Sequence, residues 1–447
     1  GGSDADTFVI NANVSNGIFA GAGNNIFNVN TLVGSLTGGV DDDRFIFDAA
    51  GSANSIDGGA GTNTLVGRNS ANNWVLTAAN TGSLGTTAGT TYISSFSNIQ
   101  VLQGGNAVDT FDLNFAFSGT VNGGADNDIF NINAVVNRLQ GEDGNDSFLF
   151  NSDANVGTAA AIEGGSGNNS LTGRNQDNTW TISGQNTGTL ALTAGANYVT
   201  EFKDIQTLNG GTGADNFIIN ATVNNAINAG AGDNTFTINA DVGDISGGAG
   251  NDSFVFGASG RANSVSGGGG VNSLVGRNGL NTWEITGTDQ GRLRVTNSTL
   301  YVNSFNDIQT LQGGNSVDIF NITSSYAGTI RGGAGDDSFN ISANANQLNG
   351  EAGNDSFTLI GQSGSVTTLD GGVGNNNLTG RNAANTWQIT SANGGNLALT
   401  NGATYVSAFN NIQNIFGGTA VDIFQINAAI ANVNGGGGND EFRINAA

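Results

Sequence analysis

Proline, cysteine, methionine and histidine are all absent from the 447 residues. Without cysteine there is no disulfide framework. Without histidine or cysteine, the usual nucleophile–base pairs and zinc sites are excluded. No apolar run reaches the length of about 18 residues that a transmembrane helix needs. No basic-then-apolar leader occurs either. Charge is sparse and one-sided: 36 Asp plus Glu face 12 Lys plus Arg, for a net charge of −24. That sign argues against nucleic acid or anionic membranes as partners and fits solubility or cation binding, while the lack of a long apolar run argues against membrane insertion. Low charge beside 73 Gly would suit a disordered chain, but 25 Phe at regular positions argue for packing.

Those positions belong to a repeat. Gly-Arg-Asn occurs at Gly67, Gly173, Gly276 and Gly380. The four Trp (Trp74, Trp180, Trp283, Trp387) keep the same steps of 106, 103 and 104 residues. So do Tyr92, Tyr198, Tyr301 and Tyr405, and the Ile-Gln pairs beginning at Ile99, Ile205, Ile308 and Ile412. Modules therefore span 1–103, 104–209, 210–312 and 313–416, with a partial fifth at 417–447.

A shorter pattern lies inside each module: G-G-x-G-x-(Asp/Asn)-x-Phe-x-apolar, in eighteen copies. Its sixth position is always Asp or Asn, and its eighth is Phe in fourteen copies and Leu in four (Leu65, Leu171, Leu274, Leu378). Phe and the apolar residue two later share one face of a strand. The glycines form a turn, and Asp or Asn can bond the turn backbone. One strand and turn every ~18 residues buries its apolar side only by stacking on the next coil. Dense Gly and a period of two disfavour helix, and missing Pro leaves every strand N–H free to pair. The expected fold is all-β: a right-handed parallel β-solenoid of about five coils per module, roughly 22 in all. The Trp- and Tyr-bearing end of each module reads as two wider coils of the same kind.

The short pattern resembles the nonapeptide of RTX (repeats-in-toxin) proteins, most clearly in GGAGNDSFV at 247–255, GGAGDDSFN at 332–340 and GGGGNDEFR at 435–443. The Trp-and-Tyr segments look like strand repeats of large bacterial surface proteins of adhesin or filament type. The resemblance implies an extracellular, cell-surface protein with Ca²⁺ in its turns. Its carriers would be Asp109, Asp128, Asp146, Asp318, Asp337, Asp355, Asp422 and Asp440, with ions between adjacent coils on one edge only. An Asp/Asn turn ladder without metal is the alternative. The Phe column and the Trp read as core, and a Trp surface for sugar rings is the weaker reading. Arg68, Arg174, Arg277 and Arg381 most simply neutralise nearby acids.

The functional expectation is an extracellular structural protein, a segment of a bacterial surface filament, sheath or stalk, and not an enzyme. A Ca²⁺-dependent adhesin stalk is the first alternative and a β-helix carbohydrate-active enzyme the second. Expected partners are further copies of the chain, end to end or laterally, and a surface glycan. An outward stripe of Ile46, Leu149, Val255 and Thr358 should serve lateral contact on one face. The chain, with no Met and no end caps, reads as an internal piece of a longer polymer.

Overall fold

The computed structural model describes residues 1–150 and 157–445, so the last two residues of the partial fifth module lie outside the description. These residues form strands and turns without helix. Parallel coils stack into a β-solenoid of about 22 turns. The coils fall into two compact units, Gly1–Gly230 and Ala231–Ala447.

In the first unit, four-residue Phe strands alternate with eight-residue strands in two facing sheets. Thr7–Ile10, Ile26–Val29 and Arg44–Phe47 pair in parallel in the first sheet. Val14–Gly21, Leu32–Gly39 and Ser52–Gly59 do the same in the second. In-register stacking puts Phe8, Phe27 and Phe45 in one column, with ring centroids 4.9 and 4.7 Å apart. Identical rings meet because period-two strands in parallel register superpose every inward side chain on its repeat.

The Trp segment differs from expectation. Asn72–Ala78, Thr81–Thr86 and Thr91–Ser97 are not wider coils but an antiparallel three-stranded meander within one sheet. The last of the three pairs in parallel with Ser52–Gly59, and the first with Thr110–Leu113. The same meander recurs at Asn178–Gly184, Thr187–Leu192 and Asn197–Lys203. In the second unit it recurs at Asn281–Gly287, Gln290–Val295 and Leu300–Asn306, and at Asn385–Ser391, Gly394–Leu399 and Thr404–Asn410. All four Trp are buried, as expected of core. Trp74 stacks on Phe111 at 5.5 Å and meets Phe96 edge-on at 6.5 Å, so it carries the aromatic column across the meander.

The meander moves the Phe column to the opposite sheet. Phe45 lies in the first sheet, whereas Phe111, Phe130 and Phe148 lie in the second. The second unit repeats this, with Phe254 in one sheet and Phe320, Phe339 and Phe357 in the other. The expected single stripe is therefore corrected. Ile46 and Leu149 point outward from opposite sheets, and so do Val255 and Thr358.

Candidate functional site

The sixth residue of each motif turns inward at the start of its Phe strand and accepts the backbone N–H of its counterpart one coil earlier. The second module shows the whole series. Asn72 N donates to Asp109 Oδ1 at 2.6 Å, Asp109 N to Asp128 Oδ1 at 2.7 Å, and Asp128 N to Asp146 Oδ1 at 2.8 Å. Asp146 N then donates to Asn169 Oδ1 at 2.8 Å and Asn169 N to Gln206 Oε1 at 2.7 Å. The fourth module repeats the order through Asn281, Asp318, Asp337, Asp355, Asn376 and Gln413. Asp422 and Asp440 continue in a third series opened by Asn385. Each complete series opens on the Asn two residues before a Trp and closes on the Gln of an Ile-Gln pair.

The fifth residue forms a second, exposed ladder of reversed polarity. Asn145 N donates to Asn127 Oδ1 and Asn168 N to Asn145 Oδ1, both at 2.7 Å. Successive strand residues aim their N–H groups in opposite directions, so neighbouring residues bond opposite coils. Where the fifth residue is Asp or Asn, the turn is thereby tied to the coil on either side.

The first glycine of the motif is explained by the inner ladder. A Cβ on Gly123 would sit 2.3 Å from Asp128 Oδ2, and one on Gly141 would sit 2.1 Å from Asp146 Oδ2. The two motifs that carry Ala there, Ala20 and Ala229, are the ones with Asn25 and Asn234 at the sixth position. Those amides turn away to bond Gly23 O at 2.7 Å and Gly232 O at 3.0 Å.

The carboxylates are electrostatically uneasy. Oδ2 of Asp128, Asp146, Asp337 and Asp355 is buried with no hydrogen-bond partner. Burial pushes the Asp128 and Asp337 carboxyls up to about 8, and neighbouring aspartates on both sides add to the rise. Asp109 and Asp318 rise less, to about 6, again through burial. Each has a donor on its second oxygen: Gly105 N at 2.8 Å and Gly314 N at 2.7 Å.

The eight expected calcium carriers thus lie in ladders, on adjacent coils as anticipated. A calcium ion takes six to eight oxygens. Here Oδ1 already serves a backbone N–H, and one oxygen of Asp128, Asp146, Asp337, Asp355 and Asp422 remains uncommitted. Among the described residues no three acidic side chains are grouped so that they could hold a metal ion together. The expectation of one edge is corrected. In the second unit the Asn376 turn precedes Asn377–Thr379, while the Asp422 turn follows Asn414–Gly418. Those strands pair in parallel, so the two turns lie at opposite edges.

Arg68 and Arg277, expected to neutralise acids, are held against tyrosine rings and main-chain carbonyls. Arg68 stacks over the Tyr92 ring at 3.9 Å and donates through Nη2 to Gly51 O at 2.6 Å. Arg277 repeats this over Tyr301, with Gly260 O as acceptor. The Tyr92 hydroxyl donates to Asn72 Oδ1 at 2.8 Å, tying the clamp to the head of the ladder. The roles of Asn72, Tyr92 and Gln100 escaped sequence reasoning, although their recurrence at the module step was the available signal. No family model matches the chain, and no curated protein matches it either.

Proposed function

We propose that this chain is an extracellular structural protein, a segment of a repetitive bacterial surface filament, sheath or stalk, with a mechanical and not a catalytic role. The observation that supports this is the triple tie between neighbouring coils. A main-chain ladder, an inner Asp/Asn ladder and an outer one run through the same turns, above stacked aromatic rings. Such redundancy resists shear between coils, which is what a load-bearing scaffold requires. Copies of the chain, meeting end to end or laterally, are its expected partners. Electron microscopy of the purified chain tests the reading: fibres or rods that persist under chaotrope support it, and compact particles with sugar-releasing activity overturn it.

The second reading, a calcium-dependent adhesin stalk, is favoured by the uncommitted buried oxygens of Asp128 with Asp146 and Asp337 with Asp355. In that reading chelation lowers the melting temperature and Ca²⁺ restores it, because an ion bound only by the folded state stabilises it. A calorimetric titration without heat, and a melting temperature that ignores chelator, reject calcium.

A further inference from the structure

The third meander departs from the repeat by charge. At the centre of the third meander, Glu284 sits between two arginines: Arg292 donates to it through Nε, and Arg294 Nη2 lies 2.7 Å from its Oε1. The other meanders carry Val75, Thr181 and Gln388 where this one has Glu284. They carry Ser83, Thr189 and Asn396 in place of Arg292. In place of Arg294 they have Gly85, Ala191 and Ala398. Two guanidinium groups against one carboxylate leave a local excess of positive charge in a chain whose net charge is −24.

Glu284 and Arg292 of this cluster line a groove of about 440 Å³ on the outward face of the sheet, with Arg294 outside the lining. Its floor is set by register: Glu284 lies beside Asn321, and Asn321 beside Asn340. Asn340 Nδ2 donates to Asn321 Oδ1 at 2.9 Å, which leaves the Asn321 amide N–H and the Asn340 carbonyl for a guest. Thr323 spends its hydroxyl proton on Ile285 O at 2.7 Å and retains its oxygen as an acceptor. Ile360, 46% exposed, supplies one apolar patch in the lining. Arg292 uses only Nε within the protein, and its side chain is 46% exposed.

We propose that this groove binds a carboxylate-bearing sugar chain, a polyuronate. Arg292 would take the carboxylate in its planar fork, with Arg294 holding Glu284 and so the geometry of the pair. The amides and hydroxyls of Asn321, Asn340, Thr323 and Ser342 match the mixed donors and acceptors of sugar hydroxyls. Ile360 lies against a ring face. The site stands apart from the scaffold reading, since a filament and a stalk would carry it equally.

Calorimetric titration of the full chain with tetragalacturonate tests it. One saturable site per chain is expected, weakened by added salt. Arg292→Ser combined with Arg294→Ala should reduce affinity by about tenfold or more, the loss of a charge-assisted pair. Ser83 and Ala191 stand at those positions in other meanders, so folding should be unaffected, as circular dichroism would verify. Absence of binding, equal binding by the folded double variant, or equal binding of neutral cellotetraose would each overturn the proposal.

Discussion

The inner ladder should make this protein more stable in mild acid than in mild base, and Asp128→Asn should remove much of that dependence. Asp128 lies between Asp109 and Asp146, its Oδ2 is buried without a partner, and its carboxyl is pushed up to about 8. In the unfolded chain it titrates near 3.9, the ordinary aspartate value, taken as approximate. The folded value is the raised one. The stability contributed by the neutral carboxyl is therefore complete below about pH 4 and is lost as pH rises through about 8. Full conversion at about 1.4 kcal/mol per pKa unit would overstate the loss, because solvent screens the turn; about 2 kcal/mol per central aspartate is the magnitude to seek. Asparagine keeps the ladder bond through Oδ1 and places an N–H₂ where the proton sits. Asn25 and Asn234 already show that amide satisfied by the carbonyl two residues earlier.

Stacked coils unfold in parts, so a local measurement is required. The Asp109 amide, donor to Asp128 Oδ1, is the reporter. Its hydrogen-exchange protection, corrected for intrinsic rate, should fall about thirtyfold between about pH 4 and about pH 9 in the wild type. In Asp128→Asn it should stay nearly level. Asp337→Asn should do the same for the Asp318 amide. Protection that is flat with pH in the wild type, or a variant that follows the wild-type curve, would refute the reasoning.

Gly123→Ala should destabilise the coil by several kcal/mol, since its Cβ would meet Asp128 Oδ2 at 2.3 Å and Gly141 O at 2.8 Å; Gly123→Ala with Asp128→Asn should recover only the part of the loss due to Oδ2 in a double-mutant cycle, as the Ala20–Asn25 and Ala229–Asn234 pairings imply. Arg277→Lys should weaken the clamp by about 1–2 kcal/mol, because an ammonium loses the flat stack on Tyr301 and the fork to Gly260 O; exchange protection in the Arg261–Gly268 strand reads it, and an unchanged value would show that the stack contributes nothing.

Much of this was legible in the residues. Phe111 with Leu113, or Phe320 with Ile322, shows the period of two that places both inside, and the recurring Asp or Asn marks the turn that binds coil to coil. The direction of the Trp strands was not legible. Trp74-Val75-Leu76 alternates in the same way whether its neighbour runs with it or against it. What marks the hairpin is Asn80, Asn186, Asp289 and Asn393, all at positive φ in the short turn after the first strand. Read as two coils, this segment preserves the side on which the next module begins; one stripe and one acidic edge then follow. As a meander it makes a single visit to its sheet. Seven single strands, the meander and one short strand give an odd number of visits per module, so the next Phe column must start on the other sheet. The alternation also levels the stack within the first unit. A meander places three strands in one sheet where the other gains one, an excess of two. Asn72–Ser97 adds that excess to the second sheet and Asn178–Lys203 adds it to the first. If every meander entered the same sheet, that sheet would outgrow its partner at each module and the aromatic columns would lose register. Changing sides lets one repeat continue indefinitely without accumulated strain, and it distributes the acidic turns over both edges.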